Sequence, residues 1–102
     1  MLNKVYQVPY GTKDILPSEM KRRRKIENAI LDIFENWGYE EVKTPGFEYA
    51  DTFGSMVKDS DFRFFDRNNN LLVLRNDMTA PIARLAATRL QQEEGSKRLC
   101  YL

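Results

Sequence analysis

Ile26, Ile30, Ile33, Phe34 and Trp37 recur at helical spacing, and Gly38 follows at once. Apolar residues three and four apart share one face of an α-helix, so this stretch commits the chain to an amphipathic helix whose stripe needs a covering surface. Glycine directly after the last periodic residue supplies the left-handed position at which helices commonly stop. At the other end Ser18 is the expected N-cap, although Lys21 stands where a capping box would place Glu. A loop bounded by Pro9 and Pro17 comes before it.

Beyond the helix the pattern changes to short extended pieces. Residues 39–44 hold apolar Tyr39 and Val42 and end at Pro45, which restricts Thr44 to extended geometry, so they read as a strand. Residues 47–53 fit either a turn of helix, on the spacing of Phe47, Ala50 and Phe53, or a short strand between Gly46 and Gly54. Residues 62–66 and 71–75 are apolar-rich runs joined by Arg67 and three asparagines, the pattern of a hairpin with a polar tip. Residues 71–74 show no polar alternation, which predicts a strand covered on both faces. A second helix is expected from Thr79, with Pro81 in its first turn, Ile82, Leu85, Ala86 and Leu90 on its buried face, and Gly95 at its end. Residues 99–102 read as one more strand. The predicted class is α+β, an antiparallel sheet with flanking helices.

The chain's 102 residues leave room for one small domain. No repeat, low-complexity tract or linker divides it, so residues 1–102 read as one unit. Its last apolar run has no closing turn, as expected of the N-terminal, incomplete part of a larger domain. With 42% hydrophobic and 30% charged residues, disorder, collagen and coiled coil are set aside. No unbroken apolar run exceeds the four residues of 71–74, far short of a membrane span, and Met1 to Tyr10 has no leader pattern, so a cytoplasmic protein without membrane contact is expected.

The sequence contains no histidine, which removes imidazole bases, the usual triads and His-containing metal sites. Cys100 is the only cysteine, so neither an internal disulfide nor a cysteine cluster for zinc can form, and its apolar setting predicts an inert buried thiol. Phosphate-binding glycine loops, EF-hand loops and nucleophile elbows are absent as well, and no cofactor or metal is expected. Charge is lopsided. Residues 1–25 carry seven Lys or Arg against Asp14 and Glu19, a balance of +5, within a total of +1. Residues 21–25 are all basic, but five successive helical positions wrap the whole cylinder and no aromatic is interleaved, so a solvated helix start or a charged subunit contact is favoured over RNA binding.

One compact polar constellation remains: Arg75, Asn76, Asp77, Met78 and Thr79, between the apolar strand and the second helix. An aspartate there can accept hydrogen bonds from an ammonium, and a threonine hydroxyl two residues on can add a contact on the same side of an extended backbone. That pairing suits the α-amino group of an amino acid. The plainer alternative is that Asp77 or Thr79 caps the helix while Arg75 pairs with a carboxylate, and the two roles are compatible.

Three ordered motifs, Tyr10-Gly-Thr-Lys-Asp-Ile-Leu-Pro17, Trp37-Gly-Tyr-Glu-Glu-Val-Lys-Thr-Pro45 and Leu74-Arg-Asn-Asp-Met-Thr-Ala80, together resemble the N-terminal third of the histidyl-tRNA synthetase catalytic domain and its non-catalytic relatives, the regulatory subunits of ATP phosphoribosyltransferase. The resemblance implies a class II aminoacyl-tRNA synthetase-like fold, with the helix ending at Trp37 and the strand ending at Pro45 as a first motif placed at a subunit interface. Carried over by position, it implies that Asp77 receives the α-ammonium of bound histidine and that Thr79 adds a hydroxyl contact. Synthetases usually read Arg-Pro-Glu-Gly-Thr where this chain has Arg75-Asn76-Asp77-Met78-Thr79, and an Arg where it has Gly54. Asp-Met-Thr is more usual of regulatory subunits, whereas Asn76 departs from the proline of both. The resemblance thus implies no catalysis by this chain but a regulatory subunit of a glycosyltransferase, ATP phosphoribosyltransferase, which supports the first step of histidine biosynthesis and its feedback inhibition. It further implies a partnership with the catalytic subunit, histidine as effector, and a homodimer within a hetero-oligomer. A histidyl-tRNA synthetase that activates histidine with ATP is the alternative.

Overall fold

The computed structural model describes residues 3–102; Met1 and Leu2, the first residues of the stretch without a leader pattern, lie outside the described residues. Two compact units emerge, one running through Glu41 and taking in Arg98–Leu102, the other Val42–Lys97.

In the first unit, α1 spans Pro17–Asn36. Its N-cap is Leu16, not Ser18, and no side chain caps it. Pro17 explains the earlier start, since its fixed φ suits the first helical position and its missing N–H is one that needs no partner there. At the far end Gly38 has φ +81° and its N–H donates to Glu35 at 2.9 Å, the expected stop. Phe34 and Tyr39 meet edge to face with centroids 5.5 Å apart. The strand expected over residues 39–44 is only β1, Glu40–Glu41. It pairs in parallel with β5, Leu99–Cys100, a partner of the same two-residue length. The apolar stripe of α1 is uncovered: Ile26 is 61% and Trp37 70% exposed, and no residue of the helix is buried.

The second unit holds a three-stranded antiparallel sheet, order β2–β4–β3, with β2 at Phe47–Tyr49, β3 at Arg63–Phe65 and β4 at Leu71–Leu74. Residues 47–53 turn out to be both things the sequence allowed, because α2, Ala50–Phe53, follows β2 directly. Gly54 then has φ +54° and ψ −123°, a conformation outside the wells open to side-chain-bearing residues, which is why an arginine could not take its place on this backbone. The β3–β4 hairpin forms as expected. Its tip is organised by Asp66, whose Oδ1 accepts the backbone N–H groups of Asn68 at 2.9 Å and Asn70 at 2.8 Å, while Asn69 takes φ +63°. These hydrogen bonds, that from the Asn70 N–H foremost, hold the Asp66 carboxyl below the ordinary aspartate value.

The registers assign the two sheet faces. Glu48 opposes Val73, and Val73 opposes Arg63, so these three share one face; Tyr49 opposes Leu72, and Leu72 opposes Phe64, on the other. The core lies on the Val73 side, where Val73 and Phe53 are almost fully buried and cluster with Ala80, with Ala50 and Val57 packed against them. Leu72 is buried too, so the centre of β4 is covered on both faces as its composition predicted, while Leu71 and Leu74 at its ends are exposed. Helix α3 runs Thr79–Arg89 and stops short of Gly95. After Leu90 the chain offers Gln91, Gln92, Glu93 and Glu94, which have no apolar face to bury and place acids where the helix dipole is negative.

Candidate functional site

The segment from Arg75 to Thr79 joins the central strand β4 to α3. Arg75 is tied to the chain before β2: its N–H donates to Gly46 at 3.1 Å and its Nη1 to the Thr44 carbonyl at 3.4 Å. Among the described residues it makes no ion pair, so the expected carboxylate partner is replaced by a backbone carbonyl. Asn76 donates through Nδ2 to Asp61 Oδ2 at 2.9 Å, an anchor that a proline could not supply. The same oxygen accepts the Lys58 N–H at 2.7 Å, which ties two loops together.

Asp77 Oδ1 accepts the backbone N–H of Thr79 at 2.9 Å, satisfying one of the orphan donors at the start of α3. The capping role weighed from the sequence is therefore present, carried by Asp77, although Met78 occupies the N-cap position. Met78 sits in the right-handed helical region, φ −105° and ψ −8°, so the backbone between Asp77 and Thr79 is not extended as the same-side argument assumed. Asp77 and Thr79 are both exposed, two residues apart. A carboxylate has lone pairs for several donors, so its bond to Thr79 leaves acceptor capacity for an ammonium.

Trp37 closes α1, exposed, with its carbonyl accepting Arg98 Nη1 at 3.0 Å. Pro45 is exposed in the second unit, beside β2. Cys100 is buried, as its setting predicted. Among the described residues no helix is long and apolar enough to cross a membrane.

Two features of the second unit had no counterpart in the sequence reading. The first is an ion pair that spans from sheet to helix: Arg84 on α3 donates through Nη2 at 2.9 Å and Nε at 3.2 Å to Glu48 Oε1. The Glu48 side chain is only 6% exposed and that of Arg84 32%. A charge so placed needs its partner, because an unpaired buried carboxylate is strongly disfavoured. The signal was available: Glu48 alternates with Phe47 and Tyr49, which puts a carboxylate on one face of a strand and rings on the other. The second is a cleft of about 760 Å³ on the ring-bearing side, with Phe47, Tyr49, Phe64 and Leu72 in its wall and Lys43, Arg67 and Arg89 among its polar lining. Asp77 and Thr79 do not line it.

A family described as Histidyl-tRNA synthetase matches residues 11–102 of this chain. An ATP phosphoribosyltransferase regulatory subunit of Moorella thermoacetica is 46% identical over 99 residues, covering 93% of this chain and 25% of the relative. Among solved structures, one titled as an ATP phosphoribosyltransferase regulatory subunit/histidyl-tRNA synthetase from Bacillus halodurans superposes with a TM-score of 0.83 at 38% identity, over 94% of this chain and 26% of that one. The apo histidyl-tRNA synthetase of S. aureus gives 0.80 at 31%, over 93% and 24%. The chain thus spans about a quarter of the length of the curated relatives it matches. The mixed helix-and-sheet architecture is that of class II synthetase-like domains, as its three motifs implied, and the chain belongs to the histidyl-tRNA synthetase family.

Proposed function

We propose that the protein carrying this chain is the non-catalytic regulatory subunit of an ATP phosphoribosyltransferase, a cytoplasmic homodimer within a hetero-oligomer, which senses histidine for feedback on histidine biosynthesis. The observation that carries this reading is the 46% identity to a protein of that name, against 31% to a solved synthetase. The Asp77-Met78-Thr79 sequence adds to it, standing where the synthetases carry Glu-Gly-Thr.

In this function Asp77 receives the α-ammonium of histidine and Thr79 contributes its hydroxyl, while Trp37 and Pro45 belong to a subunit interface. A synthetase-like pocket kept without chemistry acts as a sensor only if histidine binds one state of the assembly better than another. The exposed stripe of α1 supports an assembled state, since a partner surface would remove Ile26, Ile33 and Trp37 from water.

The test is phosphoribosyl-ATP formation by the catalytic subunit, with and without the full-length protein and histidine. Activity that requires the protein, and that histidine suppresses only in its presence, is the expected result. Histidine-dependent ATP–pyrophosphate exchange by the protein alone would instead make it a synthetase. Within the regulatory reading Asp77→Asn is the informative variant. It keeps an oxygen to accept the Thr79 N–H but loses the charge, so histidine affinity should fall about tenfold or more while the fold is kept.

A further inference from the structure

We infer that Asp61 is a positioning residue for the histidine site: through Asn76 it sets where the Asp77 carboxylate stands, an inference that rests on the regulatory reading above. All the residues concerned lie in the second unit. Strand β4 ends at Leu74, and Asp77 follows three residues later on chain that belongs to neither strand nor helix. A carboxylate on loose backbone samples many positions, and ordering it at the moment of binding costs affinity. Here the backbone is held from both flanks. On the β2 side the Arg75 N–H donates to the Gly46 carbonyl at 3.1 Å and its Nη1 to the Thr44 carbonyl at 3.4 Å. On the β3 side the Leu74 N–H donates at 2.9 Å to the carbonyl of Phe62, the residue before β3, and the next tie is from Asn76 Nδ2 to Asp61 Oδ2 at 2.9 Å.

Asp61 is itself fixed. Residues 58–61 close on themselves, since the Asp61 N–H donates to the Lys58 carbonyl at 3.0 Å and the Lys58 N–H returns to Asp61 Oδ2 at 2.7 Å. One oxygen thus carries the bond that closes this turn and the bond that reaches Asn76, so the turn is tied to the residue next to Asp77. Asp61 is half-buried, whereas Asn76 and Asp77 are exposed. A hydrogen bond open to water adds little to stability, so the consequence of this one is geometric. Asp77 Oδ1 already accepts the Thr79 N–H, which ties the side chain to its own backbone. The placement of that backbone then decides where the remaining acceptor positions point. An ammonium is held by short, charge-assisted hydrogen bonds that weaken steeply when misaligned, so a binding carboxylate depends on the residues that support it.

The experiment measures histidine affinity of the full-length protein by isothermal titration calorimetry, with circular dichroism melting to show that each variant is folded at the temperature used. Asp61→Ala removes the acceptor, and Asn76→Ala removes the donor while leaving the turn at residues 58–61 closed. Each should lose about fivefold or more, and the double variant about as much as either single, because both delete the same bond. Should Asp61→Ala fail to fold, Asn76→Ala carries the comparison. Asp61→Asn keeps an oxygen in place and should stay within about twofold. With Asp77→Asn already present, Asp61→Ala or Asn76→Ala should add less than about twofold, since the carboxylate being positioned is gone. A full loss in Asp61→Asn would make the Asp61 charge the cause, and a fivefold loss added to Asp77→Asn would make the effect a general one of the fold; either overturns the inference. So does unchanged affinity in Asp61→Ala or Asn76→Ala. If the unaltered protein binds no histidine, or Asp77→Asn binds it equally well, the Asp77 reading falls and the inference with it, an outcome distinct from binding that needs Asp77 and ignores Asp61.

Discussion

Helix α1 has twenty residues and the most regular apolar spacing in the chain, yet none of its residues is buried; β4 has four residues and supplies Val73, 0% exposed, together with buried Leu72. The difference is one of neighbours. Strand β4 is central in its sheet, with β2 and β3 on its two sides and Phe53 and Ala80 clustered with Val73. Most of the α1 stripe has no such cover, so exposed side chains such as Ile26 and Ile33 forgo much of the roughly 1.5–3 kcal/mol that full burial brings. Periodicity therefore identifies a face that wants covering, and a second layer decides whether it contributes to stability.

That contrast can be broken by substitution. Phe53→Ala should cost about 3–5 kcal/mol by emptying the core, whereas Ile26→Ala, with its exposed side chain and better helix former, should stay within about 0.5 kcal/mol. Urea unfolding of both variants checks this; a large loss at Ile26 would show that α1 is covered in solution and would strengthen the assembled state. Next in size is Arg84→Met, which leaves Glu48 buried without its cation. A fully buried pair broken this way loses about 3–5 kcal/mol, and the partial exposure of Arg84 reduces the expectation to about 2 kcal/mol. Smallest is the pH response of the hairpin tip. The Asp66 pKa in the folded state lies below the ordinary aspartate value, so its contribution is present above that ordinary value and is lost as pH falls through the folded one. Amide exchange of Asn68 and Asn70 should accelerate, relative to the core strand, only in that acid window, and an Asp66→Asn variant should lack the transition.

Much of this architecture was legible because it rests on local chemistry. Gly38 ends a helix through its own φ, the asparagines of the hairpin tolerate left-handed geometry, and Pro81 tolerates a first turn; each acts within a few residues. Ser18 was misplaced as a cap because Pro17 is itself a sufficient helix start, and Gly95 as a stop because four polar residues end α3 before reaching it. The Arg75–Thr79 segment was recognised from its residue types, and its capping bond from Asp77 to Thr79 was among the readings weighed.

What lay beyond reach depended on distant partners. The expected six-residue strand pairs only at Glu40–Glu41, and its partner β5 lies nearly sixty residues on. The bond between Glu48 and Arg84 joins residues 36 apart. Amino-acid types alone determined the two long helices, the hairpin and its turn, and which motifs tie the chain to its family, since these follow from backbone preference and short-range periodicity. Only the tertiary structure decided which apolar face is buried and which stays open, and which carboxylates are already spoken for, because burial and charge pairing belong to surfaces that meet in space.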